Sequence, residues 1–232
     1  MLHQKLRHVA SSGKTKMDIS SWWIKIFNQE KYWNNKWPKS VILYNARGGR
    51  PYDVRRFISP TNSLFLPLRS HLKITGITTN DEIALNVLKY IKKNHNYKQD
   101  TSEYWMFPED FYYFKSGDCE DFTNLYVSIC RTFGIPAYRI KVCCGWVKNP
   151  KGKGLIGHSY PIYLANDDEW KIMDTTYYSN LKDLPIKRVP ARNNKLYGKI
   201  WFTFNDIHCW RQENHEIETK RFRESVKIEY KK

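Results

Sequence analysis

No run of apolar residues in the 232-residue chain approaches the roughly 18 needed to cross a bilayer, so a helical membrane span is not expected. The opening stretch MLHQKLRHVASSGKTK is positive but lacks an apolar segment, so no secretory leader is expected and a cytoplasmic location is the working expectation. There is no CxxC and no HExxH, which argues against a structural zinc or a zincin centre. Five cysteines form an odd set without disulfide-scaffold spacing and read as reduced thiols. GKT near residue 14 has neither the upstream glycine nor the preceding strand of a phosphate-binding loop. No internal repeat is evident.

What the chain does have is aromatic mass and positive charge. Nine Trp, sixteen Tyr and eleven Phe exclude global disorder, and the length can bury a sizeable core. The net charge is +16 and unevenly placed: residues 1–80 contribute +11, residues 81–180 contribute −1, and residues 181–232 contribute +6. Basic flanks around a balanced middle suit contact with a polyanion or an acidic surface. They equally suit a solvated surface in a chain with 26 Lys against 13 Arg, the drift of an AT-rich genome such as a phage's.

Residues 1–20 are polar and read as a flexible basic arm. Residues 21–80 form an aromatic and basic extension expected to pack on the rest. Within it, Trp22, Ile26, Trp33 and Trp37 recur at helical spacing, whereas the stretch 41–70, with Gly48, Gly49, Pro51, Pro60 and Pro67, reads as irregular and extended. Residues 81–232 form the main domain, with 81–180 as its chemical core. TTNDEIALNVLKYIKKN predicts a helix capped by Thr79 or Asn80, with Asp81 and Glu82 in the positive first turn and an apolar stripe from Ile83 to Ile91. Tyr97 to Phe114 reads as an aromatic loop interrupted by Pro108. A second helix starts near Cys119, carries Phe122, Leu125, Tyr126, Ile129 and Phe133, and stops at Gly134-Ile-Pro136. The period then changes to two in AYRIKVCCGWV, HSYPIYLA, EWKIMDTT and KIWFTF, with VKIEY as a further strand or a frayed end. Helices followed by strands predict an α+β fold with an antiparallel sheet.

The chemistry-bearing residues are Cys119, His158 and Asp174. A helix start supplies free N–H groups and a positive dipole end, which favour a thiolate and can hold an oxyanion. His158 opens one strand and Asp174 ends the next, so a tight connection near Asn166–Asp168 can bring them together. Nucleophile, base and orienting acid in that order make a Cys-His-Asp triad. Each residue also has a plainer reading: a small buried thiol, a surface histidine, a turn-forming aspartate.

The strings GDCEDFTNLYVSICRTFGIPAYRIKV, GHSYPIY and WKIMDTT resemble the transglutaminase-like superfamily, and GDCED with Trp105-Met-Phe-Pro108-Glu109 upstream is similar to bacterial transglutaminase-like cysteine proteinases. The resemblance implies a papain-like core, a nucleophile helix packed on an antiparallel sheet, with Cys119 as nucleophile, His158 as general base and Asp174 as orienting acid. It implies Trp105 as the side-chain oxyanion donor, supporting roles for Asp118 and Asp121, and no obligatory cofactor. Asp118, Glu120 and Asp121 are the residues that would hold calcium, as some relatives do. The implied activity is cysteine-protease or amidase-type hydrolysis of a protein or peptide substrate. Protein crosslinking, or a non-catalytic binding role for the same fold, are the alternatives.

Overall fold

The structure is a computed structural model that describes residues 40–44, 46–177, 195–211 and 227–231, with side chains described through Trp210. The arm at 1–20 and the helical pattern at 22–37 lie outside the described residues.

Ten strands and four α-helices are described. β1 (Ser40–Tyr44) and β2 (Tyr52–Asp53) lead through 3₁₀ turns to α1 (Leu68–His71) and α2 (Asn80–Asn94). β3 (Asn96–Tyr97), α3 (Pro108–Phe114) and β4 (Ser116–Gly117) precede the central helix α4 (Cys119–Thr132). β5 (Ile140–Lys148), β6 (Leu155–Leu164), β7 (Trp170–Ile172), β8 (Tyr197–Phe204), β9 (Cys209–Arg211) and β10 (Lys227–Lys231) follow. Helices before an antiparallel sheet make this the α+β arrangement expected of the sequence.

The α2 start follows its residues closely. The Thr79 hydroxyl accepts from the Glu82 N–H while the Glu82 carboxylate accepts from the Thr79 N–H, a reciprocal capping box. α4 differs from a simple amphipathic helix: every residue from Glu120 to Cys130 is buried. It lies between the sheet on one side and α2 and α3 on the other, and a helix enclosed on several sides buries polar residues along with its stripe.

The main sheet has strand order β7-β6-β5-β8-β9, antiparallel throughout. The β5–β6 register pairs Gly145 with His158 and Cys144 with Ser159. β10 does not extend this sheet. It pairs with β1, which also pairs with β2, in a separate three-stranded sheet. The stretch 41–70 is thus less irregular than its glycines and prolines suggested, because β1 finds its partner nearly two hundred residues away.

The loop expected over 97–114 also needs correction. Pro108 begins a helix rather than breaking one, since the first turn does not use the N–H that proline lacks. Phe111 from this helix, Trp105 before it and Phe57 from the segment after β2 join α2, α4 and the sheet in one core.

Candidate active site

Cys119 is the first residue of α4, and the geometry upstream explains how it gets there. A Cβ on Gly117 would collide with the Asp121 carboxylate and come within 2.7 Å of Met106 Cε, so only glycine lets the chain pass this close to the helix. Asp121 then bridges two segments, accepting from the Met106 N–H at 2.8 Å and from the Asp118 N–H at 3.2 Å. From the same helix, the Thr123 hydroxyl reaches both the Cys119 carbonyl at 2.8 Å and the Ser159 carbonyl at 3.1 Å, bolting α4 to β6. The Ser159 N–H hydrogen-bonds to the Cys119 thiol, so the sulfur lies against the residue next to His158.

His158 and Asp174 are both buried, and their Nε2 and Oδ2 atoms are 2.8 Å apart. Asp174 is heavily solvated by protein. Its Oδ2 also accepts from the Tyr197 hydroxyl at 2.6 Å, while Oδ1 accepts from the Thr176 N–H, the Thr176 hydroxyl and the Tyr177 N–H. Burial alone would raise its pKa, but His158 and these donors hold the carboxyl well below the usual range. Tyr177 stacks on the imidazole at 4.2 Å between ring centroids, and its hydroxyl lies 3.4 Å from that of Tyr97. Nδ1 of His158 is buried without a hydrogen-bond partner.

The Cys119 side is electrostatically different. Burial, then the carboxyls of Glu120 and Asp118, push the Cys119 thiol well above its ordinary value, although the Ser159 N–H pulls the other way. This corrects the expectation that the helix start would yield a ready thiolate: the N–H groups are present, but so are two carboxyls, and the thiol donates to Glu120 Oε2 at 3.3 Å. Burial and the Asp118 carboxyl also push Glu120 well up, and burial raises Asp121 to about 8. Glu103 and Asp100 are raised by the same causes. Among the described residues Cys119 is the one cysteine that is not buried.

Trp105 does not take the expected place. Its ring lines the cavity, but its Nε1–H is committed to Glu103 Oε1 at 2.8 Å, which leaves no indole donor for an oxyanion. Gln99 lines the same cavity and was not evident from the sequence. β3 and β4 pair in parallel, Tyr97 opposite Gly117, and the Lys98 N–H bonds to the Gly117 carbonyl at 2.8 Å. That pairing carries Gln99 alongside Cys119. The cavity, about 580 Å³, brings together Cys119, His158, Gln99, Trp146 and Tyr177.

The model of the transglutaminase-like superfamily matches residues 71–175. Those residues form a transglutaminase-like domain. Legionella pneumophila LapG in an EGTA-treated form superposes with a TM-score of 0.50 at 18% identity, covering 67% of this chain and 77% of that one. A second LapG structure gives 0.50 at 18%, covering 69% and 81%. A calcium-bound LapG gives 0.49 at 19%, covering 69% and 88%. At these identities the likeness is one of fold. No curated protein matches by sequence. The transglutaminase-like match takes in Cys119, His158 and Asp174 and begins at the end of α1, ten residues before the expected boundary at 81. No helix among the described residues is long and apolar enough to cross a membrane.

Proposed function

We propose that the protein is a thiol-dependent acyl-transfer enzyme that hydrolyses an amide or peptide bond in a protein or peptide substrate, with Cys119, His158 and Asp174 as its triad. The observation that carries this reading is the placement of Cys119 and His158 in one cavity, with His158 Nε2 on a carboxylate and Nδ1 unpartnered. Nδ1 is then the nitrogen left to take the thiol proton. As it does so, the Cys119 sulfur forms a bond to the carbonyl carbon. The C–N bond breaks, and the leaving amine takes the proton from His158. Water adds to the thioester, giving a proton back to His158, and the acid leaves with the thiol restored. Asp174 fixes the ring and stabilises the imidazolium. Burial, and then the Glu120 and Asp118 carboxyls, raise the thiol, so the transfer of its proton to His158 is part of the reaction rather than a resting ion pair.

For the oxyanion, the Gln99 amide and the Cys119 backbone N–H are the donors the fold supplies beside the nucleophile. Gln99→Ala is expected to lower kcat by roughly 10²-fold.

The carboxyl cluster fits a hard divalent cation such as calcium. Oxygens of Asp118 and Glu120 lie within 4.8 Å of each other and of the thiol, and Asp118 Oδ1 is buried without a partner. Asp118 and Glu120 would hold the ion, while Asp121, whose oxygens bond to backbone N–H groups, would support the loop. The ion would supply positive charge where carboxyls crowd, ordering the turn that presents Cys119.

The deciding experiment is a thiol-directed peptide-aldehyde or vinyl-sulfone probe, with peptide-library hydrolysis read by mass spectrometry. Wild type should label at Cys119 and release free carboxyl termini, and Cys119→Ala should do neither. Isopeptide products without hydrolysis would favour crosslinking; no labelling and no products would make the fold a scaffold.

A further inference from the structure

A second concavity, about 590 Å³ and as large as the first, shares no lining residue with it. His71 at the end of α1 and Lys73 just after it form one wall, Lys89 and Lys93 of α2 a second, and Tyr90 and Tyr112 line it as well. Among the described residues no Asp or Glu lines it. All four cationic or imidazole side chains are exposed.

Ion pairs occupy several cations elsewhere in the fold. Arg47 pairs with Asp110, Arg55 with Asp53, Arg131 with Asp206, and Lys171 with Asp167 and Glu169. Lys73, Lys89 and Lys93 have no ion pair among the described residues. Three lysines lining one basin, with no ion pair among the described residues, raise the local potential, and neighbouring like charges cost stability unless an anion joins them. Lys73 also has φ 53, the left-handed position after a helix end that glycine fills at least cost. The backbone thus holds a lysine at the rim where its conformation is disfavoured.

We propose that this basin binds a phosphate-bearing organic anion of about nucleotide size. The lysines line one concavity from two sides, α2 and the end of α1, which suits a compact phosphate group of nearly two negative charges better than carboxylates strung along a peptide. Lysines without an arginine fork act as point charges, a mode that phosphate accepts and that does not demand bidentate geometry. The volume exceeds that of a lone phosphate and falls in the range of small-molecule sites, and the Tyr90 and Tyr112 rings and the apolar residues Leu68 and Leu72 provide a wall for the organic part.

The test is isothermal titration of the full chain with a nucleoside 5′-monophosphate, with citrate as a carboxylate of at least equal charge, at low and at moderate salt. Wild type should bind the nucleotide and not citrate. The double variant Lys89→Ala, Lys93→Ala should bind about ten-fold more weakly or worse, and Lys73→Ala should weaken binding in the same direction. The control Lys153→Ala, in the β5–β6 connection, should leave affinity unchanged. Both α2 positions are exposed and alanine favours helix, so melting curves should coincide. The double variant with arginine at both positions should retain binding. A 12-mer single strand with and without a 5′-phosphate separates the two sources of the group: a strand terminus if the phosphorylated strand binds more tightly, a free nucleotide if the two strands bind alike. No nucleotide binding by wild type, equal loss in Lys153→Ala, or citrate binding as tight as the nucleotide would each overturn the proposal.

Discussion

The two halves of the candidate site treat buried carboxyls in opposite ways. On the sheet side, Asp174 is fully buried and held strongly acidic, because an imidazole, two hydroxyls and two backbone N–H groups point at it. On the helix side, Glu120 is equally enclosed and pushed up, because its neighbours are other carboxyls. Burial penalises both charges alike; the donors around each decide which one persists. The sheet side is therefore built to hold a negative charge under a histidine, and the helix side crowds buried carboxyls that disfavour one another's ionisation.

The sharpest break would come from the proposed nucleophile. Cys119→Ala should lower hydrolysis by roughly 10⁴-fold or more and abolish iodoacetamide labelling at neutral pH, because the other four thiols are buried. Peptide mapping that finds the label on Cys144 would instead move the reactive group into the strand. Next is Asp174→Asn. It should reduce activity by roughly 10- to 10³-fold, less than in a serine triad since a thiol is the more acidic nucleophile. Stability should also fall, by about 1–3 kcal/mol, because four N–H and hydroxyl donors beside His158 lose their charged acceptor. Equal rates in mutant and wild type would remove Asp174 from the chemistry. Tyr197→Phe takes one donor from the same oxygen and should cost less than Asp174→Asn in both rate and melting temperature, with the pH profile of alkylation shifted. An unshifted profile would make the hydroxyl purely structural.

The helix side is probed by calcium. Addition should raise the melting temperature of wild type, and Asp118→Asn should lose that increment; an increment that survives would move the ion away from this cluster. The smallest effect is expected outside the site. Burial lowers His95 to about 4, with its ring 4.8 Å from Phe111. The unfolded chain takes a proton near the ordinary 6.5 and the folded chain resists it, so the stability this site contributes is complete above 6.5 and declines as pH falls toward 4. His95→Phe should flatten that part of a melting-temperature profile, whereas the loss tied to Asp174 sets in only below the ordinary carboxylate range.

Local chemistry written in one stretch of chain was legible. Thr79 and Glu82 announce the start of α2, Gly134 and Pro136 the end of α4, and the alternation of HSYPIY and WKIM the adjacent strands β6 and β7. Cys119 stands at a helix start as its sequence context suggested, whereas His158, expected to open a strand, lies three residues inside β6, and Asp174, expected to end one, lies two residues beyond β7. Tyr197 and Gln99 carried no such mark. Tyr197 lies 23 residues beyond the carboxylate it serves, and Gln99 reaches the cavity through a two-residue parallel pairing that no local pattern encodes.

The sequence alone determined the helix caps, the strand periods and the order of thiol, imidazole and carboxylate, since each depends on neighbours a few residues apart. Only the tertiary structure decided how the thiol and the carboxylate are shifted. The Trp105 donor turned to Glu103, the thiol met Glu120 and Asp118, and Asp174 collected its donors from β6, the segment after β7 and β8. Protonation responds to every dipole and charge within a few ångströms, and those neighbours come together only when the chain is folded.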